Sequence, residues 1–286
     1  MTGVLVTGGT GKTGSALVRL LRGRGVPVRV ASRTPAAGDP DAVRFEWDDP
    51  ATYQAALRGA DRVFLVPPVN SVDPMPLVGP FLAEARRLGI RRVVLLGSAI
   101  VLPGAMSALE LAAHVRDQPG GIVLRASGFM QNFLSPHPLG ERIRRHGEIR
   151  TATHTGRVGW IDARDIAAAA SALLSDPGAE HGDRSDYLLT GPKAFSYQEA
   201  AAIITAHARR PVHVVQVNAG ELAAEYRAAG MPAEFARALA AVEEGIGAGR
   251  EDRVSTAVLD LTGRPPRTFT EFVKEHAATW TDNGRS

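Results

Sequence analysis

Residues 4 to 14 read Val-Leu-Val-Thr-Gly-Gly-Thr-Gly-Lys-Thr-Gly, and an apolar-periodic segment follows at once. A short apolar run that breaks into Gly8-x-x-Gly11-x-x-Gly14 and re-emerges with helical spacing is a strand, a tight turn and a helix start. Bare backbone N–H groups and a helix N-terminus then lie side by side, which is an anion site suited to a pyrophosphate. Gly8 is expected to allow the turn, Gly11 to let phosphates approach the backbone, and Gly14 to let the helix over residues 15–22 pack on the sheet. The Gly-Lys-Thr at 11–13 is shared with triphosphate-binding loops, but those need a glycine five positions before Gly11, where Val6 stands. A dinucleotide is the ligand the segment predicts.

A second strand, residues 26–31, ends in Ser32-Arg33. An acidic residue here would suit a free ribose 2′-hydroxyl, whereas a guanidinium suits a 2′-phosphate by charge and by bidentate geometry. Arg33, helped by Ser32 and Lys12, therefore favours NADP(H), with NAD(H) as the alternative.

Strand and helix patterns go on alternating: strands at 43–47, 62–66, 92–96 and 121–125, with helices at 51–58, 77–88 and 107–115 between them. That alternation predicts an α/β, Rossmann-type, doubly wound parallel sheet. Ligands of such sheets lie outside the carboxyl ends of the strands. The expected cofactor wall is thus Gly8, Thr10, Gly11, Lys12, Thr13 and Gly14, then Ser32, Arg33 and Asp48, and finally Val66, Pro67, Gly97 and Ser98. Past residue 130 the alternation loosens. A short strand at 157–161, a helix at 166–174, a capping box at Ser196–Glu199, a strand at 212–217, two helices within 221–243 and a last helix from about 270 predict a smaller C-terminal helical lobe. The expected division is a dinucleotide-binding core of residues 1–128, joined by elements from about 151–190, and a substrate-covering lobe of 129–150 and 191–286. Tyr187, Tyr197 and Tyr226 are expected in that lobe.

With 286 residues the chain can bury a full core, and with no cysteine it has neither disulfides nor thiolate metal sites. No metal site is expected. The opening residues form neither a signal peptide nor a membrane span, so a cytoplasmic location away from membranes is expected. The formal charge is +3 and the pI about 9.6, arginine supplying nearly all cations. The densest basic cluster, Arg142-Ile-Arg-Arg-His146, lies between Glu141 and Glu148 without interleaved aromatics, so it reads as a solvated helix face or turn, not a nucleic-acid surface.

Four segments carry a resemblance: residues 7–14, Leu124-Arg-Ala-Ser-Gly-Phe-Met-Gln-Asn132, Trp160-Ile-Asp-Ala-Arg-Asp-Ile166 and Thr262-Gly-Arg-Pro-Pro-Arg-Thr-Phe269. The chain resembles the NmrA-like branch of the atypical short-chain dehydrogenase/reductases, which includes bacterial members and fungal ergot-alkaloid reductases. The resemblance implies an extended Rossmann fold binding NAD(P), with the glycine segment on the phosphates, Arg33 on the adenosine end, Asp48 near adenine, and Phe129 and Asn132 near the nicotinamide or substrate. One departure from the wider superfamily matters. Tyrosine occurs only at 53, 187, 197 and 226 and lysine only at 12, 193 and 274, so no Tyr-x-x-x-Lys acid pair exists. Ser98 at the end of the fifth strand is the candidate catalytic residue, oriented toward an acceptor oxygen, and Glu110 and His114 could share a helix face.

The expectation is an oxidoreductase passing hydride from the nicotinamide to a conjugated or aromatic acceptor that stabilises its own charge: a quinone, enone or imine. The resemblance suggests a polycyclic substrate of secondary metabolism, such as aromatic polyketide antibiotic biosynthesis, with a partner enzyme or a homo-oligomer as the expected assembly. The alternative is a non-catalytic NAD(P)-sensing regulator.

Overall fold

The computed structural model describes residues 3–69, 71–104, 106–175 and 184–281. The first half runs β1 (Gly3–Val6), α1 (Lys12–Gly23), β2 (Val28–Ser32), β3 (Ala42–Arg44), α2 (Ala51–Leu57), β4 (Ala60–Leu65), α3 (Met75–Arg87), β5 (Arg92–Ser98), α4 (Met106–Arg116) and β6 (Gly121–Ala126). A 3₁₀ turn (Met130–Phe133) leads to α5 (Pro138–His146), β7 (Glu148–Thr151), β8 (Arg157–Val158), α6 (Ala163–Ser175), β9 (Asp186–Leu189), β10 (Phe195–Ser196) and α7 (Tyr197–Ala208). The chain closes with β11 (His213–Gln216), α8 (Ala219–Ala228), α9 (Ala233–Gly247), α10 (Ala257–Thr262) and α11 (Phe269–Thr281).

Seven parallel strands form the main sheet in the order β3-β2-β1-β4-β5-β6-β9. The Rossmann-type sheet expected from the alternation is therefore present. Its order reverses between β1 and β4, where Val6 lies opposite Val30 on one side and Phe64 on the other. Strands buried on both faces need no apolar alternation, and residues 4–6 and 63–65 are indeed wholly buried. One face is covered by α1, α6 and α10 through Leu17, Leu21, Ile166, Ala170 and Val258. The other is covered by α2, α3 and α4 through Leu57, Phe81, Leu82 and Val115.

Three sequence expectations need correction. The strand expected at 157–161 is only β8, antiparallel to β10, and continues as a single bridge from Ile161 to Phe129. The seventh sheet strand, β9, was missed because its four residues, Asp-Tyr-Leu-Leu, are too few to show a period. Tyr187 consequently sits in the core beneath α6, not in the lobe. Likewise α10, although it lies in the C-terminal third, packs against α6 on the sheet.

The remaining elements build the lobe around Phe133, Trp160, Phe195, Tyr197, Phe269 and Trp280, with α8 and α9 as a hairpin closed on Leu222, Tyr226 and Ala236. The basic cluster forms the end of α5, its charges spent on neighbours: Arg142 on Glu148 at 2.8 Å, Arg144 and Arg145 on Glu141 at 2.8 and 3.1 Å. Among the described residues no helix is long and apolar enough to cross a membrane.

Two family-like segments turn out to be joints. Asp162, fully buried, accepts from the Arg164 backbone N–H at 2.8 Å and from Gln131 Nε2 at 2.9 Å, fixing the start of α6 to the 3₁₀ turn. Asp165 accepts from the Arg267 backbone N–H at 2.7 Å and pairs with its guanidinium, anchoring the segment before α11. Removing the cation from this largely buried pair leaves a buried carboxylate uncompensated. Arg267→Ala should therefore lose about 1 to 3 kcal/mol of stability, and a thermal melt unchanged within one degree would contradict the assignment.

Candidate functional site

At the switch point the Thr7 hydroxyl donates to Phe64 O at 3.1 Å and accepts the Val66 N–H at 2.7 Å, which stitches the ends of β1 and β4 together. The chain then reverses through Gly8, whose φ of +60° lies in the left-handed region. A Cβ on Gly14 would stand 2.2 Å from Gly8 O, so only glycine lets the first turn of α1 sit against the reversal. The Gly11 N–H closes the turn on Gly8 O at 2.9 Å, and α1 begins at Lys12 with no side-chain cap. Its first-turn amides have no intrahelical partners. The Thr13 hydroxyl, in a residue only 4% exposed, has no hydrogen-bond partner among the described residues. An uncapped helix start, an orphaned buried hydroxyl and a glycine cradle together fit a pyrophosphate.

Along the same sheet edge, β2 ends in a hydroxyl turn. Ser32 Oγ donates to Thr34 O at 3.1 Å and accepts its N–H at 3.2 Å, leaving Arg33 exposed, without ion pair or hydrogen bond among the described residues. Asp48 is exposed after β3, beside Trp47, whose carbonyl accepts from Tyr53 at 2.6 Å.

On the other side of the switch, a cavity of about 840 Å³ opens outside the ends of β4, β5 and β6. Val66, Pro67, Gly97, Ser98, Phe129 and Asn132 all line it, whereas the glycine segment, Ser32, Arg33 and Asp48 do not. The sequence-predicted residues thus divide into a half along the β1 to β3 edge and a half that faces a largely apolar cavity. Lys12 connects them electrostatically. Burial, then the positive charge of Lys12, holds the cavity-lining His137 down to about 4, while a hydrogen bond with the Asn132 backbone acts the other way. His137 is therefore neutral near pH 7, with Nδ1 accepting the Leu139 N–H at 3.3 Å. Burial also lowers Lys12 itself.

Ser98 is closed on its own strand end. Its hydroxyl donates to Ile100 O at 2.7 Å and accepts the Ile100 N–H at 3.1 Å, the same closure as at Ser32. Glu110 and His114 are both exposed on α4 and neither lines the cavity.

The sequence reading missed the polar groups that the lobe brings to the cavity: Tyr197, Tyr226 and Glu243. Glu243 Oε2 accepts from Thr151 Oγ1 and the Ala152 N–H, each at 2.7 Å, and Oε1 from the Tyr226 hydroxyl at 3.4 Å. Burial pushes the carboxyl up, opposed by those three bonds. Both phenols are pushed well up, first by burial and then by the charge of Glu243. One signal was available: Ala236, Ala240 and Glu243 follow at i, i+4 and i+7, so the carboxylate lies on the apolar stripe of α9.

The NAD(P)H-binding family profile matches residues 8–177. The chain is 42% identical over 282 residues to the uncharacterized oxidoreductase YesF of Bacillus subtilis, covering 97% of this chain and 96% of the relative. The chain belongs to the NAD(P)H-binding family that this profile describes. It is also similar to an agroclavine dehydrogenase of Claviceps fusiformis, 34% identical, and to an NAD(P)H azoreductase of Xenophilus azovorans, 33% identical, each matched over 97% of this chain and 98% or more of the relative. The NADPH-dependent quinone oxidoreductase QOR2 of Escherichia coli, crystallised with NADPH, shares the fold at 23% identity and a TM-score of 0.78, over 95% of this chain and 99% of that one. This protein is an NAD(P)H-dependent oxidoreductase.

A bulky side chain at Gly11, which has only Gly8 O within 4 Å of a Cβ, would fill the phosphate position without disturbing the core. Gly11→Leu should keep the wild-type circular dichroism spectrum and lose NAD(H) and NADP(H) binding by calorimetry. Undiminished binding of both would place the pyrophosphate elsewhere.

Proposed function

We propose that the protein passes hydride from NADPH to a conjugated or aromatic acceptor, of the quinone, enone or imine type, held in the cavity beside β4, β5 and β6. When bound, the reduced nicotinamide supplies the hydride. The backbone at Lys12 and Thr13, with the Thr13 hydroxyl, would hold the phosphates, and Arg33 would take a 2′-phosphate. Residues 1–128, with about 151–190, act in this reading as the dinucleotide half. Residues 129–150 and 191–286, apart from α10, cover the acceptor.

One observation carries the choice of acceptor. Among the described residues the cavity offers no activated hydroxyl as a proton donor: the Ser98 hydroxyl is turned to Ile100 O, no tyrosine has a lysine partner, and the Tyr197 and Tyr226 phenols are shifted away from release by burial beside a carboxyl. An unactivated ketone needs a proton as hydride arrives, whereas a quinone or iminium group takes the electron pair into its own π system. The relative named as an azoreductase supports such an acceptor, and the agroclavine dehydrogenase relative supports a role in secondary metabolism. Apolar walls, including Leu96, Ile100, Leu102 and Phe129, suit a large flat ring system and exclude water from it.

Stopped-flow oxidation of NADPH with a panel of quinones, enones and simple ketones tests the reading. Quinones should turn over and simple ketones should not, and Tyr197→Phe should cost less than about tenfold in kcat, below the usual contribution of general acid catalysis. Efficient reduction of simple ketones, or a collapse of turnover in that variant, would overturn it. NADPH binding without turnover of any acceptor would favour the sensing role instead.

Arg33 sets the cofactor. Arg33→Asp should weaken NADPH by about tenfold or more through a lost charge-assisted pair and new repulsion, with NADH changed far less. Equal effects on the two cofactors in calorimetry would remove Arg33 from the 2′-phosphate.

A further inference from the structure

Glu243 is a carboxyl built into the cavity wall and left without a cation. It is 5% exposed and lines the cavity, and it makes no ion pair among the described residues. The arginines that line the cavity pair with other carboxylates, Arg150 with Glu225 and Arg142 with Glu148, each at 2.8 Å, and Arg116 and Arg125 with Asp186, although the Nε of Arg142 and of Arg150 has no hydrogen-bond partner among the described residues. Among the described residues, the groups that touch the carboxyl are the Ala152 amide, which donates to it, and the Thr151 and Tyr226 hydroxyls, which can, Thr151 Oγ1 lying also 3.0 Å from Thr153 Oγ1. Such a shell suits a carboxyl that accepts hydrogen bonds. Oε2 is satisfied by two short bonds, while Oε1 has only the long Tyr226 contact and keeps capacity for another donor. Burying a charge without a counter-charge is expensive unless a partner completes it.

A second observation concerns the surroundings. Tyr226, Tyr197 and Trp160 line the cavity with Glu243, and the Tyr197 and Trp160 ring centroids lie 5.4 Å apart at an interplanar angle of 57°. Aromatic faces around a carboxylate are the surroundings that favour an organic cation. Trp160 Nε1 is buried without a hydrogen-bond partner among the described residues, so this wall also offers a donor to an oxygen of the ligand.

We infer that Glu243, backed by Tyr226, Tyr197 and Trp160, is the specificity-determining residue of the cavity and selects conjugated acceptors bearing a cationic nitrogen, a protonated tertiary amine or quaternary ammonium, remote from the atom that takes hydride. This rests on the reading of the cavity as the acceptor site. The charge on the ligand replaces the missing counter-ion, and the aromatic faces hold its alkyl groups where a hydrated metal cation or a primary ammonium would keep its water.

Two naphthoquinones that differ only at the end of a short side chain, trimethylammonium in one and tert-butyl in the other, have matched shape and opposite answers. Their dissociation constants are measured on protein saturated with NADP⁺, in which no hydride is available, for wild type and Glu243→Gln, with Glu243→Met as a second neutral variant should the first melt early. Wild type should bind the cationic probe at least tenfold more tightly than the neutral one, and neutralising Glu243 should bring the ratio to within about twofold of one. Equal affinities in wild type, or a ratio that survives in a folded neutral variant, would overturn the inference. Turnover of the same pair with NADPH is a separate readout: a strong cation preference without turnover would sink the reductase reading and leave the recognition by Glu243 standing, whereas turnover without preference would do the reverse.

Discussion

The tie between Thr7 and β4 is the contact on which the site depends. A strand that ends at the switch of a parallel sheet has a neighbour on each side at its last residue, so its continuation must leave the sheet plane at once. The Thr7 hydroxyl, bonded to Phe64 O and the Val66 N–H, fixes where that departure occurs, and Gly8 and Gly14 make it short enough for α1 to begin against the turn. The same contact holds Val66 and Pro67 at the cavity mouth. One hydroxyl thereby sets both the helix start suited to phosphate and part of the cavity wall.

From that point the two halves of the sheet edge have different chemistry. The half at β1 to β3 is open and cationic, with Lys12 at the head of α1 and Arg33, at the end of β2, unpaired among the described residues. The half at β4 to β6 is roofed by the lobe and becomes a chamber in which a histidine is kept neutral, two phenols are kept protonated and a serine is closed on its own strand end. In the proposed reaction, charge on the acceptor is then managed by the acceptor or by Glu243.

Several residues that make the sequence look like its family have structural work. Asp162 and Asp165 face neither half of the edge; they fix α6 to the 3₁₀ turn and to the segment before α11. Gly128 lines the cavity, yet packing also fixes it as glycine, since a Cβ there would meet the Trp160 ring at 2.7 Å. A strong motif can thus mark the joint between core and lobe, whose geometry sets the chamber, without touching a substrate.

The first half of the molecule was legible because its signals are local: an apolar strand, a glycine turn and a helix are each specified within about a dozen residues, and their alternation leaves a parallel sheet as the economical way to bury both faces. That reading reached the glycine segment, Arg33 and the strand-end residues from Val66 to Phe129. It did not reach β9, too short to carry a period, nor the closed hydroxyl of Ser98, whose partner is a backbone carbonyl. Glu243 was hidden for another reason. Its place on the apolar stripe of α9 is written in the sequence, but its partners, Thr151 and Ala152, lie some ninety positions earlier on a strand whose pairing with β11 no local pattern announces. By itself the sequence determined the sheet and the glycine turn at its switch point, because short-range sterics and hydrophobic period decide those. Only the tertiary structure decided what faces the cavity, because that depends on which distant helices the lobe core brings over the strand ends.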